Sequence, residues 1–158
     1  MKEHTYQAKI EWTGNTGSGT DHYKNYERSH TIAVENKPLI LGSSDPAFRG
    51  DSTRHNPEDF LVSSLSSCHM LWYLHFCAVN HVIVEEYVDT AEGILREEKD
   101  GNGRFIEVTL HPHVTVKSED MVAKAIELHT KAREFCFIAN SVNFPVKHQP
   151  LVTCKRNL

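Results

Sequence analysis

Between Phe60 and Val79 the chain carries no Lys, Arg, Asp or Glu. The start of this segment reads as a helix. Asn56 is a good N-cap, Pro57 stands at the first helical position, and Glu58 and Asp59 fill the first turn. Asp59 falls at the third helical position and weakly mimics a capping box. Apolar residues then recur at Leu61, Leu65, Cys68, Trp72, Phe76 and Val79, in steps of three and four. The opposite face carries Ser63, Ser64, Ser67, Met70 and Leu74, so it is uncharged too. The spacing predicts a helix of about 24 residues, roughly 36 Å long. A helix uncharged nearly all round is buried on most sides. A chain of 158 residues has little protein with which to bury such a rod. The expectation is a central helix covered by sheet and by a second subunit.

The flanking segments alternate as strands do. Residues 5–12 and His30–Val34 read as strands, and Lys37–Gly42 as a short one limited by Pro38. Ser43–His55, with Asp45-Pro46 and Gly50, is a loop long enough to suspect a role. Val82–Thr90 and Gly93–Arg96 read as strands. Lys99-Asp100-Gly101-Asn102-Gly103 is a turn, and Arg104–Val116 is one long strand completing the hairpin. Ser118 or Asp120 caps a second helix from Met121 to about Ile138. Val142–Cys154 gives a last strand interrupted by Pro145 and Pro150. No repeat or second domain is visible, so residues 1–158 read as a single α+β domain. Its antiparallel sheets surround a long buried central helix and a second helix.

A net charge of -4 gives no footprint for nucleic acid or an anionic membrane. No apolar run is long enough to span a bilayer, and Met1–Tyr6 lacks the apolar stretch of a secretory signal. A cytoplasmic location is the expectation. Among eleven histidines, His111 and His113 share a strand face, but no Cys or carboxylate stands at a metal-site spacing. His69 and His75 read as core or interface histidines. Trp72 and Tyr73 read as packing.

Four cysteines are present, Cys68, Cys77, Cys136 and Cys154, with no C-x-x-C pair. In a cytosolic protein a disulfide is usually catalytic or sensing. Cys68 and Cys136 both fall in stretches that read as buried helix, either as inert core residues or as a redox couple. Cys77 and Cys154 read as core. Cys68 lies about three turns into its helix, beyond the reach of the helix dipole. A reactive thiolate there needs a cation from elsewhere. Arg49 and Arg54 precede the helix, and Glu58 is placed to hold such an arginine by a bidentate pair.

Asn56-Pro57-Glu58 followed by Leu61, a Ser-rich helix and a Cys ten residues after the Glu resembles the OsmC/Ohr family. These are osmotically inducible protein C and organic hydroperoxide resistance protein. The stretch around Cys136, with Asn140-Ser141 and a final strand, resembles that family's second redox cysteine. The resemblance covers nearly the whole chain and implies an intertwined homodimer with active sites at the subunit interface and no cofactor or metal. It implies a thiol peroxidase that reduces organic hydroperoxides, an antioxidant function. Cys68 would be the peroxidatic cysteine and Cys136 the resolving one. A lipoyl-type dithiol would reduce their disulfide. Glu58 carries over as the catalytic glutamate. Arg49 is the best match for the catalytic arginine, with Arg28 and Arg54 as alternatives. Phe137 stands where family members often have Pro. The segment Gly42–Phe48 is longer than in the commonest members, and both departures point to a distinct branch. A rival reading keeps the scaffold but makes the protein a redox sensor or small-ligand binder without sustained turnover. A third makes it a structural homodimer with inert thiols.

Overall fold

The structure, a computed structural model, describes residues 1–155. The chain divides into two compact units, Met1–Leu61 and Val62–Leu158. In the first, β1 (Lys9–Trp12), β2 (His30–Ala33) and β3 (Ile40–Gly42) form an antiparallel meander. The loop before the helix is held from within. The Asp45 carboxylate caps a single 3-10 turn, Pro46–Phe48, by accepting from the Ala47 N–H. Ser43 Oγ accepts from the Asp51 N–H.

Helix α1 (Pro57–Val79) starts where the sequence places it. The Asp59 N–H donates to Asn56 Oδ1 at 2.8 Å, and the Asn56 N–H donates to Asp59 Oδ2 at 3.2 Å. That is a full reciprocal capping box. Its buried face is Leu65, His69, Tyr73, Phe76 and Cys77, rotated from the predicted stripe. Val79 is exposed, and Leu71 is 63% exposed. The helix is therefore not buried on most sides within one chain. An uncharged row of Ser63, Ser67, Leu71, His75 and Ala78 faces outward.

In the second unit, β4 (Val84–Asp89), β7 (Pro112–Val116) and β9 (Leu151–Cys154) form one sheet. Strands β5 (Glu92–Glu97), β6 (Gly103–Leu110) and β8 (Val146–His148) form another. The β5–β6 hairpin turns at Gly101, whose φ of 84° is open to glycine. The predicted long strand over 104–116 is corrected: it breaks at His111, and its halves join different sheets. Only β7 alternates in burial; at the end of β6 Val108, Thr109 and Leu110 are all buried. The His111 N–H, left without a ladder partner, donates to Asp89 Oδ1 at 2.7 Å, and Ser66 Oγ donates to the other oxygen of that carboxylate. The last predicted strand likewise splits into β8 and β9, around Gln149-Pro150. There the Gln149 N–H donates to the Leu110 carbonyl. Both sheets are mixed rather than antiparallel, because β8 runs parallel to β6 and β9 parallel to β7.

A 3-10 turn at Glu119–Met121, begun at Ser118 without a side-chain cap, leads into α2 (Val122–Phe135). The core joins Tyr73, Phe76 and Cys77 to Val114, Leu128 and Ala132. Among the described residues no helix is long and apolar enough to cross a membrane.

Candidate functional site

The second unit brings Cys68 and Cys136 together. Cys68 is half-buried inside α1. Cys136 is buried and lies just past α2, with φ −66° and ψ 106°. The predicted helix to Ile138 is thus corrected: it stops at Phe135. Side-chain bonds hold the turn that follows: Arg133 Nη1 donates to Asn140 Oδ1 at 3.2 Å and Asn140 Nδ2 donates to the Glu134 carbonyl at 2.9 Å. The backbone adds a bond from the Asn140 N–H to the Cys136 carbonyl. Both thiols are free. Burial first, and then a hydrogen bond with the Cys68 thiol, push the Cys136 thiol up to about 11. The Ala139 N–H, 3.4 Å from Cys136 Sγ, and the Ile138 N–H pull the other way.

The remaining expected site residues lie in the first unit. Arg28 is committed locally. It donates to the carbonyls of Tyr26 and Tyr23, and its guanidinium lies 4.4 and 4.2 Å from their ring centres (Tyr23 and Tyr26). Arg54 pairs with Asp51 at 3.4 Å. Arg49 has φ 66°, a left-handed conformation unusual outside glycine, asparagine and aspartate. Among the described residues no ion pair engages it. It lines a cavity of about 480 Å³ with Lys24, Arg28, Ser43 and Asp51. Gly50 follows because a Cβ there would stand 1.6 Å from the Ser44 carbonyl oxygen. Glu58 Oε2 is buried without a hydrogen-bond partner.

Sequence reasoning missed a buried imidazole cluster in the second unit. His69 on α1 and His129 on α2 are 1% and 0% exposed. Their rings stack 5.4 Å apart at 7°, with His69 Nε2 and His129 Nδ1 3.0 Å apart. His148 on β8 lies 5.5 Å from His69 and 6.2 Å from His129 between ring centres, and Tyr73 stacks on His129 at 3.8 Å. Burial, aided by His148 and Arg133, pushes His69 down to about 4. Burial, aided by His69 and His148, pushes His129 down to about 3. The only signal in the sequence was the place of His69 on the buried side of α1. Its partner is 60 residues away.

The other sequence readings divide. Cys77 is core, and burial raises its thiol. Cys154 is only half-buried, and its thiol donates to Glu119 Oε2 at 2.8 Å. His111 stands between two strands, so it shares no strand face with His113. Among the described residues no group of His, Cys, Asp or Glu is arranged to hold a metal.

The family model described as OsmC-like protein matches residues 50–150. A solved OsmC-like protein of unknown function from Vibrio cholerae is 31% identical, with a TM-score of 0.84 over 94% of this chain and 100% of that one. An organic hydroperoxide resistance protein from Elizabethkingia anophelis superposes with a TM-score of 0.68 at 16% identity, covering 99% of each chain. One from Legionella pneumophila does so with a TM-score of 0.65 at 15% identity, over 99% of this chain and 100% of that one. At those identities the likeness is one of fold. No curated protein matched the chain.

Proposed function

The chain belongs to the OsmC-like protein family, and from that premise we propose that it is a thiol-dependent peroxidase acting on organic hydroperoxides. The observation that carries this reading is the contact between the Cys68 and Cys136 thiols, which stand 68 positions apart in the sequence. In the proposed cycle the Cys68 thiolate attacks the terminal peroxide oxygen. The O–O bond breaks, the alcohol leaves with a proton, and Cys68 becomes a sulfenic acid. Cys136 displaces water from that sulfur to form the disulfide. A dithiol of lipoyl type then restores both thiols by exchange and is itself oxidised to a cyclic disulfide. The family resemblance assigns to Arg49 the role of favouring the Cys68 thiolate and to Glu58 that of the catalytic glutamate. The left-handed backbone of Arg49 and the lack, among the described residues, of an ion pair to it support choosing it over Arg28 and Arg54, whose guanidinium groups are already engaged.

A second copy of the chain is part of this reading. Large apolar side chains stay exposed in a single chain, among them Ile10, Leu41, Leu71 and Phe137. A homodimer that covers them supplies the burial that the uncharged α1 calls for.

Peptide mass spectrometry after one equivalent of cumene hydroperoxide, then dihydrolipoamide, tests the cycle. A Cys68–Cys136 disulfide that forms and is reduced again is the expected result. Cys68→Ser is expected to abolish peroxide consumption, and Cys136→Ser to leave a trappable sulfenic acid. Oxidation spread over all four cysteines would end the proposal. One feature favours a sensing role instead: burial raises the Cys136 thiol, which lowers its thiolate fraction and slows its attack. A single oxidation without sustained turnover would select that reading.

A further inference from the structure

The stacked imidazoles belong to the two helices that lead to the thiols. His69 follows Cys68 directly on α1. On α2, Arg133 and His129 stand about one and two turns before Cys136. The stack is therefore the buried polar contact between these helices nearest, in sequence, to the sulfur pair.

Its hydrogen-bond pattern is incomplete. A neutral imidazole has one N–H and one bare nitrogen. The inner nitrogens of the stack serve each other, while His69 Nδ1 and His129 Nε2 are buried without partners. One outer nitrogen is then an orphan donor and the other an orphan acceptor. The acceptor invites a proton, but the surroundings oppose a charge. From α2, Arg133 acts on His69, and from β8 so does His148. The face of His129 is covered by Tyr73 of α1. Tyr87 of β4 lies 5.8 Å from Tyr73, and the Asp89 carboxylate acts on Tyr87. The charges acting on the two rings themselves come from Arg133 and the other imidazoles.

We propose that the His69–His129 stack is a proton-sensitive positioning latch for the thiol pair. The neutral stack registers α1 against α2 so that Cys68 and Cys136 meet. Uptake of one proton from solvent by either ring releases α2 and draws Cys136 away from Cys68. The step changes no oxidation state. The proposal rests on the reading of Cys68 and Cys136 as the redox pair, and it regulates that pair by acidity. His69 and His129 are positioning residues and touch no substrate.

Trp72 reports the seat of Cys136. Its ring lies 5.3 Å from Phe135 and 5.5 Å from Phe137, the residues on either side of Cys136. With Trp12→Phe, Trp72 is the sole tryptophan. Its emission is followed from about pH 7 to about pH 3.5 beside far-ultraviolet circular dichroism. The latch predicts a red shift of Trp72 while the dichroism is unchanged. It predicts a midpoint displaced by at least about one pH unit in His129→Gln, whose amide donates and accepts without titrating. His148→Gln, which alters a less buried ring, is the second variant and moves the midpoint to higher pH. A Trp72 signal constant over the range, a shift that coincides with loss of dichroism, or a midpoint unmoved by both variants would overturn the latch. The fluorescence needs no oxidation, whereas the disulfide formed at neutral pH reads the redox pair, so either idea fails without the other.

Discussion

In residues 1–61 the buried positions are Gly14, Ser29, Gly42 and Ser43, and none contributes an apolar side chain larger than a hydrogen. In residues 62–155 the buried positions include Leu65, Tyr73, Phe76, Leu110 and Leu128. The first unit nonetheless alternates as well as the second. Its Ile10, Leu39 and Leu41 are 62%, 58% and 50% exposed. Alternation in a strand marks a face that is built to be covered; it does not say which chain covers it. A three-stranded meander of this length is marginal without such cover. The second unit has its own core, and it hides within that core a set of imidazoles that an apolar core would not need.

The sharpest division between the units is in core truncation. Leu128→Ala is expected to destabilise the protein by about 2–5 kcal/mol, because it removes a fully buried side chain and leaves a cavity. Urea unfolding measures it, and a loss under about 1 kcal/mol would show that this core is loosely packed.

Acidity is next in size. The folded pKa values of His69 and His129 lie below the ordinary value of 6.5, so the unfolded chain binds more protons as the pH falls. The stabilising contribution is whole above about pH 6.5 and is lost progressively below it, toward the folded values. A loss of about 2–3 kcal/mol per ring by about pH 4.5 is expected from unfolding midpoints across that range. His69→Gln should flatten the dependence, and an unchanged slope would show that the rings titrate freely.

In the first unit, Ile10→Ala is expected to cost about 1 kcal/mol, and the proposed homodimer requires a midpoint that depends on protein concentration. A cost within about 0.5 kcal/mol at every concentration would leave the sheet facing water and break the comparison. The smallest effect belongs to the solvent-exposed pair of Lys147 and Glu107. Lys147→Ala should lower the unfolding midpoint only slightly in low salt, and less in high salt.

Much of this was legible where the signal is local. Asn56, Pro57 and Asp59 announce the start of α1 within four residues, and Gly101 announces its turn. The pair Cys68 and Cys136 was also legible, though through resemblance rather than spacing. What was not legible depends on distant partners. The break at His111 needs the Asp89 carboxylate, 22 residues earlier in the chain. The end of α2 at Phe135 needs Asn140 and Arg133 to hold the following turn. The buried face of α1 differs from the apolar stripe because histidine and tyrosine bury well once stacked, whereas Leu71 faces outward. Hydropathy counts His69 as polar and has no means to find His129.

The parallel pairing of β8 and β9 with β6 and β7 has a consequence in time. The hairpin of β5 and β6 closes across a few residues, but β8 reaches β6 only after the chain has passed through β7 and α2. Contacts of such long sequence separation carry the larger loop entropy and slow the search for the native state. Strand β8 also brings His148, the third imidazole of the cluster. The third imidazole therefore joins His69 and His129 only at the loop-closure cost of the whole segment between β6 and β8.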